Sequence, residues 1–227
     1  MDNEYPTAPE VERAFREAQR ALEPLAGRGF LRESKASLSE IALQLPLMVD
    51  QAYETLSSQL GPLIWWEAPS EEGWEPIIAV HNFDDSAQNI DEIELAETAY
   101  RGPDDSWSNS SLGQAARAYR RDAGWDFPPG DTGIWLLMLA PESKTGEDEN
   151  GVATHKGHLI GFMMVCDYDE DGIYECVANM WTAAAWRRRG VAKKLFVEAQ
   201  RRFSIIEVQG PYTEDGAAFL QACPIDH

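Results

Sequence analysis

The residues with the clearest chemical potential form the run RRRGVAKK, Arg187 to Lys194, which continues as LFVEAQRR to Arg202. Arg187, Arg188, Arg189, Lys193, Lys194, Arg201 and Arg202 are seven of the chain's 19 cations, with one carboxylate, Glu198, among them. The chain around them is acidic: 39 Asp and Glu residues give a formal charge of -20. Val191, Leu195, Phe196 and Ala199 recur at helical spacing, so a helix is predicted to open at Gly190. Cations at a helix start oppose the positive end of the helix dipole, at about 0.3–1 kcal/mol each. A bound anion removes that conflict, and the free N–H groups of a helix N-terminus are good phosphate donors. Gly190 lets the backbone approach a ligand, and Ala192 keeps the next turn small. A strand, a tight basic loop and a helix together make a diphosphate cradle. A solvated basic helix face is the plainer alternative.

The elements that must position this run read as follows. Residues 8–27 have helical spacing ended by Pro24 and Gly27. Ser37 and Glu40 form a capping-box pattern for a second helix, interrupted at Pro46. Together they predict a helical extension over residues 1–60. Beyond it, LGPLIWWEA and WEPIIAVHNF read as strands. SAQNIDEIELAETAY and SSLGQAARAYRRDAG read as helices, the second stopping at Gly124. GIWLLMLAP is a strand, and ESKTGEDENGVATHKG an acidic loop. HLIGFMMVCDY and GIYECVANMWT are strands joined through the turn DEDG. The basic helix, a strand SIIEVQG and a short helix EDGAAFLQA close the order. That order predicts an α/β (α+β) domain over 61–227, a mixed sheet flanked by helices.

With these elements in place, MWTAAAWRRRGVAKKLF resembles the acyl-CoA-binding motif of the GNAT superfamily of N-acetyltransferases. Arg187, Arg188, Arg189, Gly190, Val191 and Ala192 match the family's Gln/Arg-x-x-Gly-x-Gly/Ala, with Ala184 where Pro is usual. The resemblance spans about residues 75–222 and extends to the element order. It implies a GNAT-like mixed central sheet and acetyl-CoA as co-substrate. It also implies that the amides of Arg188 to Ala192, with Arg187 and Lys193 beside them, hold the CoA diphosphate. Main-chain groups of Met180, Trp181 and Thr182 would meet the pantetheine arm, in a splay between GIYECVANMWT and SIIEVQG.

The resemblance also implies a general base on the fourth strand of the family and a phenol as general acid. Ala178 and Asn179 occupy the neighbourhood of the usual Glu, and Glu175 lies nearer the strand start. Glu175 and Asn179 are the candidates on that strand, Glu175 being equally readable as a solvent-facing carboxylate. The helix GAAFLQA offers no Tyr, and Tyr212 just before it is the nearest phenol, as acid or as packing. The family's last two strands have no counterpart here. Residues 1–60, or a homodimer sharing strands, are then expected to cover the exposed sheet edge.

The other candidates are weaker. His81 follows a strand as a further base. His155 and His158 have H-x-x-H spacing without further ligands, and the three cysteines, Cys166, Cys176 and Cys223, lack metal-ligand spacing, so no metal site is expected. Trp65, Trp66, Trp107 and Trp125 read as core or rim aromatics, of which one or two could line an acceptor pocket. The negative charge argues against a nucleic-acid or membrane surface and favours a cationic partner. No apolar run of about 18 residues occurs, and the polar N-terminus shows no secretory signal, so a cytoplasmic location is expected. The expected activity is transfer of acetyl from acetyl-CoA to a primary amine, of a cationic small molecule or peptide. A catalytically inactive acyl-CoA-binding module is the alternative.

Overall fold

The computed structural model describes residues 57–69, 75–83, 107, 110–126 and 128–225, which belong to the unit Ser57–His227. The expected extension over 1–60, apart from its last four residues, and the helix over 86–100 lie outside the described residues, as does any covering of the sheet edge by the extension.

Six strands form one mixed sheet. They are β1 (Leu63–Pro69), β2 (Ile77–Asn82), β3 (Ile134–Thr145), β4 (Val152–Cys166), β5 (Cys176–Thr182) and β6 (Glu207–Val208). Among the described residues three α-helices accompany them in full: α1 (Ser111–Ala123), α2 (Val191–Arg202) and α3 (Glu214–Ala222). The order across the sheet is β2-β3-β4-β5-β6. All neighbours are antiparallel except β5 and β6, which run parallel. β4 is long enough to take β1 along Val152–His158 and β5 along Gly161–Cys166. Among the described residues no strand follows α3.

The nearly unbroken apolar run of β3 follows from burial on both faces. Trp135, Leu137 and Leu139 face one core with Phe162, Trp181 and the α1 residues Leu112, Ala115, Ala116 and Ala118. Ile134, Leu136 and Met138 face the other, with Val177 and the α2 residues Val191, Leu195, Phe196 and Ala199. Burying one such aliphatic or aromatic side chain contributes about 1.5–3 kcal/mol, so the two helices are held by their apolar stripes rather than by caps.

The structure corrects the acidic loop. Strand pairing continues to Thr145 on β3 and resumes at Val152 on β4, leaving only residues 146–151 as connection. The reason is β1, which pairs with Val152–His158 and turns a polar-looking segment into an inner strand. His155 and His158 are therefore strand residues on opposite faces, not a loop pair. His155 is buried and stacked on Trp66, with ring centroids 5.6 Å apart. The Nδ1 of His158 shares a hydrogen bond with the Gly61 carbonyl at 2.8 Å. The strand expected over SIIEVQG shrinks to Glu207–Val208.

Two positions fix the seat of α2. Gly161 on β4 faces its first turn. A Cβ there would lie 2.7 Å from Val191 Cγ1 and 2.9 Å from the Trp181 carbonyl oxygen, so a side chain would push the helix off the sheet. Gly190 caps α2 with φ +81 and opens on empty space. A left-handed φ suits glycine, which has no Cβ to clash.

Candidate active site

β5 and β6 touch only briefly. Their register covers Cys176↔Glu207 and Val177↔Val208, and the Gln209 N–H donates to the Val177 carbonyl at 2.9 Å. Beyond Val177 the outer edge of β5 has no strand partner among the described residues. The β4–β5 register also slips there: Val165 pairs with Val177 and Met164 with Asn179, leaving Ala178 as the extra residue of a bulge. A bulge frees backbone groups and bends the strand. At this divergence lies a cavity of about 400 Å³.

Three elements wall it. β5 contributes Val177 through Thr182, α1 with its following turn contributes Tyr119, Asp122 and Trp125, and the approach to α3 contributes Tyr212, Thr213, Glu214 and Asp215. Arg187 and Ala192 also line it, so the cavity extends to the start of α2. The volume falls within the usual range for small-molecule sites, about 300–1,000 Å³.

The two helix N-termini at this cavity differ. On α3 the Thr213 hydroxyl accepts from the Gly216 N–H at 3.1 Å, and Glu214 and Asp215 stand in the first turn. Its donors and dipole are already answered. On α2 Gly190 supplies no capping side chain and the first turn has no acid. The first backbone bond of the helix runs from Lys194 N–H to Gly190 O, so the amides of Val191, Ala192 and Lys193 begin it without an intrahelical acceptor. Just before it, Arg188 has φ +61. Gly190 is left-handed as well, with φ +81, so the chain turns sharply twice as it enters the helix.

The seven cations divide into separate groups. Arg187 donates to Asp122 Oδ2 at 2.7 Å and to the Thr182 carbonyl at 3.1 Å. Arg188 pairs with Asp215 at 2.9 Å, with side chains 86% and 67% exposed; such a pair is weak enough to yield to an incoming anion. Arg189 stacks over the Trp186 ring, 5.3 Å from its centroid. Lys193 and Lys194 project from the exposed side of the first turn. Arg201 and Arg202 lie at the far end of α2, away from the cavity, where both hydrogen-bond Glu198. Those bonds, from Arg201 first and then Arg202, pull the Glu198 carboxyl down to about 2.

Asn179, Met180, Trp181, Thr182, Arg187, Ala192 and Tyr212 all meet at this cavity. Arg188, Arg189, Gly190, Val191 and Lys193 form the neighbouring turn. Glu175 is elsewhere. It precedes β5 by one residue, and its Oε1 accepts from the Tyr168 N–H at 3.2 Å, back toward the β4–β5 loop. Tyr212 lines the cavity but donates its hydroxyl hydrogen to the Val208 carbonyl.

Tyr119 is the phenol that sequence reasoning missed. Its oxygen accepts from Trp125 Nε1 at 2.8 Å and from Asn179 Nδ2 at 3.2 Å. Two N–H donors on one phenol oxygen leave its own hydrogen free to donate into the cavity. Asp122, one helical turn on, was missed as well; it accepts from Trp181 Nε1 at 3.1 Å as well as from Arg187. The available signal was the i, i+3 spacing of Tyr119 and Asp122 on the predicted helix. Of the four tryptophans singled out, Trp125 is the one that lines the cavity, while Trp66 and Trp107 pack in the core. His81 packs edge-on against Phe83 at 4.4 Å, outside the cavity lining.

No protein-family model matches the chain, and no curated protein is similar to it in sequence.

Proposed function

We propose that this protein is a GNAT-type acyltransferase that moves an acetyl group from acetyl-CoA to a primary amine. The observation that carries the reading is the junction of the cavity with an open helix N-terminus: β5 and β6 part after Val177, and the space between them reaches Ala192 and Arg187. When bound, acetyl-CoA supplies an activated acyl carbon and a thiolate leaving group. The free amides at the start of α2, with Arg188 and Lys193, hold its phosphates. The edge of Ala178–Trp181, beside which no strand runs among the described residues, offers N–H and C=O groups to an extended amide-bearing arm and a donor to the carbonyl oxygen on which charge grows. Tyr119 is placed to give its proton to the departing sulfur, with Asn179 and Trp125 orienting the phenol. Proximity of two held reactants alone is worth roughly 7 kcal/mol or more.

The acceptor we infer is cationic. The net charge is -20, and Asp122, Glu214 and Asp215 line the cavity against Arg187 alone. An acceptor ammonium must lose a proton before attack, and with Glu175 turned away that proton leaves through water. A cytoplasmic setting accords with this reading; among the described residues no helix is long and apolar enough to cross a membrane.

The position of Glu175 and the committed hydrogen of Tyr212 favour a second reading, a module that binds acyl-CoA without turnover. A thiol-release assay with acetyl-CoA across an amine panel separates the two. Release that depends on a cationic amine and disappears in Gly190→Glu supports the enzyme. CoA binding without release from any amine supports the module.

A further inference from the structure

The connection between β4 and β5 reads Asp167-Tyr-Asp169-Glu-Asp171-Gly172-Ile-Tyr-Glu175. It holds five carboxylates and no cation, and neither Asp167, Asp171 nor Glu175 forms an ion pair among the described residues. Like charges gathered so closely repel, so the arrangement calls for a positive charge that the described residues do not supply.

We propose that this loop binds one hard divalent cation of the calcium class. Acidic residues at alternate positions followed by glycine, D-x-D-x-D-G, are the spacing with which a tight loop brings oxygen ligands to one calcium ion. The chain departs from the helix–loop–helix version at the twelfth position, where Ala178 replaces the usual Glu. Glu175 folds back instead. One oxygen each from Asp167, Asp171 and Glu175 lie within 4.8 Å of one another, as ligands on an ion with bonds of about 2.3–2.6 Å must. The second, independent observation is the Glu175 carboxylate itself. Its Oε2 is sealed from solvent and has no hydrogen-bond partner among the described residues, although Oε1 accepts from the Tyr168 N–H. A buried carboxylate oxygen with nothing to bind is costly, and a cation resolves it.

The rest of the loop is already shaped for the purpose. Asp167 accepts from the Asp171 and Gly172 N–H groups at 3.1 and 2.6 Å, and Gly172 takes φ +88. The Ile206 N–H donates to the Glu175 carbonyl at 2.9 Å, so an ion held by this side chain fastens the root of the β5–β6 divergence. The site is separate from the cavity, and the inference does not rest on the proposed activity.

The test is calorimetric titration of full-length, chelator-stripped protein with calcium chloride and with magnesium chloride, and Tm with and without each ion. One saturable calcium site and a raised Tm are expected. Asp171→Asn and Glu175→Gln should each weaken calcium binding by at least about tenfold, since affinity follows ligand charge. Glu149→Gln, in the acidic connection between β3 and β4, should leave it unchanged. Absence of saturable heat together with an unmoved Tm overturns the proposal. So does undiminished affinity in Asp171→Asn, an exposed position whose change does not threaten folding, because calcium would then only screen the acidic surface. Tighter binding of magnesium than of calcium overturns the assignment of class.

Discussion

Arg187 and Asp122 meet at 2.7 Å, and the Trp181 indole shares the same carboxylate oxygen at 3.1 Å. One acid on α1 thereby ties down the end of β5 and the turn that leads into α2. These are the two walls between which the cavity reaches the helix N-terminus. The first arginine of the basic run is thus a strut, and in the proposed site the phosphates are left to Arg188, Lys193 and the backbone.

Asp122→Ala removes that tie. The Trp181 N–H loses its acceptor and Arg187 its counter-charge, and stability should fall by about 1–2 kcal/mol. Urea unfolding followed by tryptophan fluorescence measures this. Asp122→Asn, which keeps an acceptor oxygen, should lose less than the Ala variant.

Tyr119→Phe deletes the one phenol hydrogen that, among the described residues lining the cavity, has no acceptor of its own. Turnover should drop by about a hundredfold, the usual scale for a lost general acid, with little change in KM. Tyr212→Phe should have a far smaller effect on kcat, because its hydrogen already serves the Val208 carbonyl. Steady-state kinetics of the two variants side by side distinguishes them.

Glu198 titrates well below its usual 4.5, at about 2, because Arg201 and then Arg202 hydrogen-bond its charged form. A depressed carboxyl pKa contributes stability that is fully present above pH 4.5 and is lost as pH falls toward 2. Arg201, the stronger partner, is 64% exposed, so screening holds the contribution to about 1 kcal/mol. The wild type and Glu198→Gln should therefore differ in Tm at pH 7 and converge near pH 2.

Burial, then the adjacent Cys166 thiol, pushes Cys176 up to about 12. Burial raises Cys166 as well. Since the thiolate is the nucleophile, neither should be alkylated quickly by iodoacetamide at pH 8 in the folded protein. Mass spectrometry should find Cys223 labelled first and all three thiols labelled after unfolding in urea.

The unbroken apolar run of β3, the helix ending at Gly124 and the amphipathic stripe of α2 were legible because burial on two faces, or on one, writes its own pattern into sequence. Two features were not. The inner position of Val152–His158 depends on β1, a partner about 90 residues earlier in the chain, and no local pattern reports a long-range pairing. The cavity wall at Tyr119 and Asp122 depends on where α1 rests against β5, which the spacing of polar residues does not reveal. The basic run was visible as a charge cluster, but its division into a strut, an exposed pair, a stacked guanidinium and a remote Glu198 network needed side-chain geometry. The Asp167–Glu175 connection read as a hairpin turn, because the fold-back of Glu175 toward Asp167 and Asp171 is a three-dimensional feature that D-E-D-G does not spell out.

The central claim is that the opening between β5 and β6 and the start of α2 form one site for an acyl-CoA. Titration calorimetry of acetyl-CoA into the full-length protein at low ionic strength tests it most directly. The account predicts one-to-one binding that weakens as salt rises and is abolished in Gly190→Glu. Folded protein that gives no heat, or a Gly190→Glu variant that binds as tightly as the wild type, would contradict it.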